Sequence, residues 1–326
     1  MKAFAYVNAA NEREALAALD AQRGRVLPLA GGMDLLGLMK NYVAQPERVV
    51  NIKSLDKAIT VSPAGARIGA AASLIELIEH QALAKSYPAL IQSADDVGTP
   101  QIRNAGTIGG NIMQRPRCWY FRNEEFHCLK KGGPRCFAVE GENQYHAIFG
   151  GGPCHIVHPS SLAVPLIAYG AKFRVVGANG ERDIDAGEFF ELPAENLMGE
   201  TVLRPNELLT HVILPSASGV SAASYEVRYK QSHDWPLASA TAALTMDGKT
   251  VKSARLVMGA VAPIPWRVPA AEQVLAGKTI TEAVATEAAN AAVAGATPMS
   301  QNAYKVQVAR TAVKRAILRA AGIQTV

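Results

Sequence analysis

What this sequence lacks narrows it first. Almost half of its 326 residues are hydrophobic (49%), enough for a sizeable core, yet no uninterrupted apolar run approaches the roughly 18 residues of a membrane span. No spanning helix is expected. Strong charge is missing too: 33 Lys and Arg stand against 28 Asp and Glu, and the net +5 is spread along the chain, so no nucleic-acid surface is expected. Met1-Lys2-Ala3-Phe4 does not open a charged segment followed by the apolar run of about 7–15 residues that marks a secretory signal. The seven histidines form no H-E-x-x-H, and no G-x-S-x-G elbow occurs, so hydrolase readings lack a motif. The G-x-G-x-x-G dinucleotide fingerprint is also absent.

Cysteine is missing everywhere except at Cys118, Cys128, Cys136 and Cys154. Four thiols in one window suit zinc or an iron–sulfur cluster, four being the usual complement of a [4Fe–4S] centre. Structural zinc usually takes thiols in C-x2-4-C pairs, whereas the gaps here are nine, seven and seventeen residues, which favours a cluster in a long loop. Two disulfides are the third option and would need an oxidising compartment. Gly132-Gly133-Pro134 and Gly150-Gly151-Gly152-Pro153 each precede a cysteine, where backbone could approach cluster sulfurs. Arg115, Arg117, Lys130, Lys131 and Arg135 would offset a cluster's negative charge.

Along the chain, residues 3–8, Asn11–Arg23 and Arg25–Ala30 read as strand, helix and strand. They run into Ala30-Gly31-Gly32-Met33-Asp34-Leu35 and a helical apolar pattern, a corner where backbone N–H groups at a helix start favour phosphate, or simply a tight turn. Strands at Arg48–Ile52, Ile59–Val61 and Arg67–Ala70 follow, then helices from Ser73, with Glu76 at the capping-box position, and from Pro88. Ile102 to Asn111 reads as a second glycine-rich loop suited to a dinucleotide's phosphates. His158-Pro159-Ser160-Ser161 leads into a helix ending near Ala168, and Lys172–Val176 with Arg182–Ile184 reads as a hairpin. Leu208–Leu214, Ser224–Tyr229, Ala238–Met246 and Val251–Met258 suggest a separate antiparallel sheet, covered by helices at Pro269–Leu275, Ile280–Ala294 and Ala303–Ala321. Lys305, Arg310, Lys314, Arg315 and Arg319 on the last helix read as a solvated face.

Together these stretches carry a resemblance. Ala30-Gly31-Gly32-Met33-Asp34-Leu35 is similar to A-G-G-T-D-L, Arg103 to Asn111 to R-N-x-G-T-I-G-G-N, His158 to Ala163 to H-P-S-D-L-A, and Lys230 to Trp235 to R-x-S-x-D-[FW]. These are motifs of the FAD-binding medium subunit of the molybdenum hydroxylases, the group of xanthine dehydrogenase, carbon monoxide dehydrogenase and aldehyde oxidoreductases. The cysteine stretch resembles the branch of that family that adds a [4Fe–4S] cluster, and the resemblance implies that Cys118, Cys128, Cys136 and Cys154 would be its ligands.

The resemblance implies an α+β fold: a FAD-binding part in two subdomains, 1–55 and 56–215 with the cluster loop 114–158, and a C-terminal antiparallel sheet covered by helices, 216–326. It implies FAD contacts from Leu29, Ala30, Gly31, Gly32, Met33, Asp34 and Leu35, from Asn104, Gly106, Thr107, Ile108, Gly109, Gly110 and Asn111, and from Ser161 and Lys230. Met33 stands where the family has Thr, and Ser161 where it has Asp. The implied partners are a molybdopterin-binding large subunit, a [2Fe–2S] small subunit and an external electron acceptor, with substrate, an aldehyde by the nearest resemblance, oxidised elsewhere. Electron flow towards molybdenum, as in 4-hydroxybenzoyl-CoA reductases, a zinc-stapled binding module and a stand-alone flavin oxidase are the alternatives. Cytoplasmic placement is expected, or periplasmic placement by co-export with a partner.

Overall fold

The computed structural model describes residues 1–324 and is a mixed α+β protein with three sheets. The first layer contains β1 (Ala5–Asn8), α1 (Glu12–Ala18), β2 (Val26–Leu29), α2 (Leu35–Lys40) and β3 (Arg48–Asn51). Its strands are parallel, in the order β1-β3-β2. Asn11 caps α1 by accepting the Glu14 N–H at 3.0 Å. The helix stops at Ala18 rather than Arg23 because Asp20 takes the Gln22 N–H into a turn of its own, 2.7 Å, in competition with helix continuation.

The second layer holds β4 (Ile59–Ser62), β5 (Gly65–Gly69), α3 (Leu74–Glu79), α4 (Gln81–Ser86), α5 (Pro88–Asp95), α6 (Pro100–Ala105), α7 (Ile108–Ile112), α8 (Trp119–Arg122), α9 (Ala163–Tyr169), β6 (Lys172–Gly177), β7 (Gly180–Asp185) and β8 (Leu208–Pro215). Ser73 and Glu76 form the expected capping box on α3. The stretch read as a second glycine loop contains two short helices, capped by Thr99 and Thr107. The five strands run antiparallel in the order β4-β5-β8-β6-β7. β8 therefore lies between β5 and β6 rather than in the C-terminal sheet with which its sequence was grouped. Strand propensity marks a strand but not its neighbours.

The last layer comprises β9 (Val220–Val227), β10 (Ala238–Asp247), β11 (Thr250–Gly259), β12 (Trp266–Arg267), α10 (Pro269–Leu275), α11 (Glu282–Val293) and α12 (Tyr304–Ala320), with an antiparallel sheet ordered β12-β11-β10-β9. Most of β10 and the second half of β11 are buried on both faces, whereas Lys252, Ser253 and Arg255 in the first half of β11 are exposed. Ala242, Leu244, Leu256 and Met258 pack under the terminal helices. Their neighbours Ala243 and Val257 point the other way, into the core shared with α5 and α9. That shared core holds the C-terminal layer against the second one.

The basic series on α12 is not one solvated face. Lys305 is 1% exposed, and its Nζ donates to the carbonyls of Tyr145, His146 and Ala260 at 3.2, 3.1 and 2.6 Å. Arg315 and Arg319 lie over the Tyr225 ring, and Lys314 pairs with Glu282 at 2.8 Å. Helical periodicity cannot mark Lys305 as buried, since its acceptors come from distant loops. Lys305→Met should leave the Ala260 and Tyr145 carbonyls without this donor, while that of His146 keeps Asn302 Nδ2 at 3.0 Å, and cost about 2 kcal/mol, read as a lower midpoint in urea unfolding. An unchanged midpoint would show that Lys305 does not tie α12 to the loop at Tyr145–His146.

Candidate functional site

A cleft of about 840 Å³ lies among the three layers, within the range of about 300–1,000 Å³ usual for ligand sites. Its lining includes Ala30–Leu35, Thr107, Gly109–Arg115, His158 to Pro159, Ser161, Gly199–Thr201, Leu208–His211 and His233–Pro236. The two glycine stretches meet on its floor. A Cβ on Gly31 would land on the carbonyl oxygen of Ala105, so only glycine allows the two backbones to touch.

Asp34 begins α2 yet gives it no side-chain cap. Its carboxylate instead takes the Arg115 N–H at 2.8 Å, Arg122 Nη2 at 2.6 Å and Arg117 Nη1. Burial opposes its charge, but Arg117, Arg122 and the Arg115 amide outweigh that and hold the carboxyl below its ordinary value. Among the described residues, the N–H groups of Gly31 through Leu35 have no protein partner. Gly32 sits at φ +75°, a left-handed conformation that costs glycine least. Unpaired amides at a helix start are where the oxygens of a phosphate fit.

The second stretch is less open than its sequence suggests. The N–H groups of Ile108, Gly109 and Asn111 donate to the carbonyls of Ala72, Ala70 and Thr107 at 2.9, 3.0 and 2.8 Å. The Gly110 N–H goes to Thr107 Oγ1 at 3.0 Å. This stretch therefore offers shape rather than amides, and the Asn111 side chain helps to set that shape by accepting from Ser160 Oγ at 2.7 Å. Of the residues anticipated, Leu29, Asn104, Ile108 and Lys230 are not in the cleft lining. Asn104 is exposed and bonds back to Pro100 O at 2.7 Å, Ile108 is core, and Lys230 is exposed. Ser161 does line the cleft and hydrogen-bonds Glu226, a carboxyl that burial and then Asp96 push up to about 7.

Side chains that the motifs did not single out complete the wall. Glu200 is buried against Arg115 Nε at 2.8 Å and Lys130 Nζ at 2.9 Å. Burial works against its charge and these two cations overcome it, leaving its pKa lowered. His211, on β8, pairs with Asp56 at 2.9 Å. Trp235 is half exposed and lies with its ring 4.6 Å from the Arg117 guanidinium. His233 donates to Gly98 O at 3.0 Å and so pins this C-terminal segment to the cleft. The sequence sets these basic residues beside the cysteines, but nothing local in it tells that their acceptors are Asp34 and Glu200.

The four cysteines, all unpaired, line one hollow with Tyr120, Phe121, Leu129, Lys130, Phe137, His146 and Ile156. Its walls are mostly apolar. Burial pushes Cys118 up to about 11, while His146 Nε2 stands 3.3 Å from its sulfur. Cys154 donates its thiol hydrogen to Cys136, which lowers Cys136 and raises Cys154. Gly133 serves close approach, but to the carbonyl of His127 rather than to a sulfur. No group of three or more His, Cys, Asp or Glu among the described residues is placed to hold a single metal ion. The hollow measures about 10 Å³ as its side chains stand, so a cubane would have to spread the thiols apart.

A cleft of this size, with free amides over touching glycine loops, has the room and the donors for a ligand as large as a dinucleotide. Residues 2–217 match the FAD binding domain in molybdopterin dehydrogenase, and residues 223–320 the CO dehydrogenase flavoprotein C-terminal domain. The aldehyde oxidoreductase FAD-binding subunit PaoB of Escherichia coli K12 is 33% identical over 95% of this chain and 96% of its own. The carbon monoxide dehydrogenase medium chain of Hydrogenophaga pseudoflava is 28% identical over 93% of this chain and 92% of its own. A solved structure of that enzyme matches at TM-score 0.76 and 30% identity, over 98% of both chains. The chain belongs to the FAD-binding flavoprotein subunits of the molybdenum hydroxylases, as an oxidoreductase subunit. Its residues fit the cofactor: the cleft has the volume, the first loop has the amides, and Gly110 lines the cleft where a side chain would intrude.

Two outcomes follow. Gly110→Leu brings its Cβ to 3.0 Å from Thr107 Oγ1, which must give by a few tenths of an ångström, and to 4.0 Å from Ala30 Cβ; it should keep the wild-type far-UV circular dichroism yet purify with little FAD, read from the ratio of flavin to protein absorbance. Full flavin content in that variant would remove the second loop from the site. Glu200→Gln should cost about 3 kcal/mol at pH 7 by stranding buried cations. A carboxylate with lowered folded pKa contributes stability above its ordinary value of 4.5 and loses it as pH falls through the folded value. The gap between wild type and variant in urea midpoint should therefore narrow from pH 7 to acid; a gap that stays constant would contradict an ionised, paired Glu200.

Proposed function

We propose that this chain is the electron-transfer subunit of a three-subunit molybdenum hydroxylase and carries a [4Fe–4S] cluster on Cys118, Cys128, Cys136 and Cys154 beside its FAD. The observation that carries this reading is convergence: four cysteines spaced far apart in sequence line one apolar hollow, on a loop tied through Arg117 and Arg122 to Asp34 in the cleft. The donor set fits, since four thiolates in dry surroundings with Lys130 and Lys131 close by suit an anionic cluster. Bound here, FAD would supply exchange between two-electron and one-electron chemistry, and the cluster one-electron storage.

The protein's part is holding and tuning. The amides of Gly31 to Leu35 are placed to hold phosphate oxygens, and Ser161 lines the cleft with Glu226 behind it. Trp235 lies over Arg117 and so links the C-terminal layer to the segment that leads into the cysteines. Lys130, fixed by the carbonyls of Leu197 and Gly199 at 3.0 and 2.8 Å, keeps positive charge between hollow and cleft. In this reading residues 1–55 and 56–215 hold the dinucleotide, and 216–326 close the cleft with His233–Pro236. Electrons would reach this chain from molybdopterin and [2Fe–2S] partners and leave to an external acceptor. An aldehyde as the partner's substrate is supported by the likeness to the Escherichia coli subunit. Assembly in the cytoplasm suits thiols that stand unpaired.

Cys128→Ser removes one ligand and should abolish the low-temperature EPR signal of the reduced protein while leaving FAD content near that of wild type. The loop from Cys118 to Cys154 should then become more susceptible to protease. Anaerobically prepared wild-type protein with no iron and no acid-labile sulfide, or with zinc in their place, would defeat the cluster.

A further inference from the structure

His146 lines the cysteine hollow and is 3% exposed, with its Nε2 3.3 Å from the Cys118 sulfur. Its other ring nitrogen, Nδ1, is buried and has no partner. A neutral imidazole carries one proton, so the contact can be made in two ways. If the thiol donated to Nε2, the proton would sit on Nδ1 as a buried N–H without an acceptor, the rarer kind of unmet group. If Nε2 carries the proton, it points at the sulfur and Nδ1 keeps only a bare lone pair. Metal binding at Cys118 decides between them, because a thiolate has no hydrogen to give and can only accept.

The ring is held from outside the hollow. The His146 N–H donates to Asn143 O at 3.0 Å, and its carbonyl accepts from Asn302 Nδ2 at 3.0 Å and Lys305 Nζ at 3.1 Å. Both of those side chains belong to the C-terminal layer, Asn302 just ahead of α12 and Lys305 in its first turn. The imidazole packs against Trp119 and Tyr120, centroids 5.9 and 6.3 Å away, in the short helix that Cys118 begins. Cys118 and His146 therefore form one packed unit. The thiols that touch each other, and that a cubane would have to part, are Cys136 and Cys154. Cys118 also takes the N–H groups of Phe121 and Tyr120, so the imidazole would be a third donor to a single sulfur.

We infer that His146 donates its Nε2–H to the Cys118 sulfur as that sulfur ligates iron, and thereby raises the midpoint potential of the [4Fe–4S] centre. This rests on the reading of the four cysteines as cluster ligands. Reduction adds negative charge to the sulfurs, so a fixed donor stabilises the reduced form more than the oxidised one. His146 is thus a positioning and tuning residue, and through Asn302 and Lys305 the C-terminal layer sets its aim.

The test uses the full chain, purified anaerobically. His146→Phe keeps an aromatic ring against Trp119 and deletes the donor; His146→Gln keeps an N–H at similar reach. A redox titration followed by low-temperature EPR should show the Phe variant with its preference for the reduced over the oxidised centre weakened about tenfold, about 59 mV lower for a one-electron couple. The Gln variant should recover part of that shift, and iron and sulfide content should match wild type in both. Should the Phe variant fail to fold, the contact is read by pulsed EPR of reduced wild-type protein labelled with 15N-histidine, where a weak nitrogen coupling should appear and should be lost in His146→Gln. Equal potentials in wild type and Phe variant at equal iron content would overturn the inference and leave the cluster standing. So would a wild type with no histidine nitrogen coupling, or a coupling that survives in the Gln variant. A wild-type chain without iron and acid-labile sulfide would overturn both.

Discussion

One buried carboxylate, Asp34, holds the working parts of this protein in register. It belongs to the first layer by sequence, yet its three partners, the Arg115 amide and the guanidinium groups of Arg117 and Arg122, come from the segment that leads into the cysteines. Buried ion pairs add little net stability compared with apolar packing, but breaking one side strands the other. Their value here is positional. Because Asp34 turns to the arginines, it does not cap α2, and the amides at that helix start stay open. A residue able to satisfy its own helix has been recruited elsewhere, and an anion site is the result. Glu200 repeats the device, joining Arg115 to Lys130 one step closer to the hollow.

The C-terminal layer acts on the cleft through its packing. The centre of its sheet is buried on both faces, with Ala243 and Val257 entering the core of α5 and α9, so it cannot slide without opening that core. The segment between β9 and β10 is thereby presented at the cleft, where His233 reaches Gly98 O and Trp235 reaches Arg117. The opposite face carries α12, whose Lys305 gathers the carbonyls of Tyr145 and His146 from the end of the cysteine loop. Cleft and hollow are thus braced by the same sheet from two sides.

How much of this the sequence disclosed depended on the range of each signal. Local chemistry was legible: the Ser73–Glu76 capping box, the Pro269–Leu275 helix and the hairpin turned at Gly180 appear where composition put them. The glycine stretches were legible as places of close backbone approach, and the structure brings them together in the lining of one cleft. Their division of labour was not legible, since whether the Gly109 amide is free depends on Ala70, far away in the chain. Long-range partners account for the other gaps. β8 pairs with β5 and β6, Lys305 is buried by loops distant in sequence, and Lys230 and Asn104 keep their family motif while standing outside the lining. His146 was visible only as one histidine among seven, because its contact with Cys118 is a property of the folded environment.

The meeting of Gly31 with the Ala105 carbonyl fixes a dimension of the cleft in the main chain itself. Two peptide backbones in direct contact have no side chain left to trim, so the floor acts as a mechanical stop. Substitutions around the walls, such as Met33 for threonine or Ser161 for aspartate, can then drift and alter grip without altering gauge. A lineage that keeps this one glycine inherits the width of its cofactor seat, however far the surrounding sequence diverges.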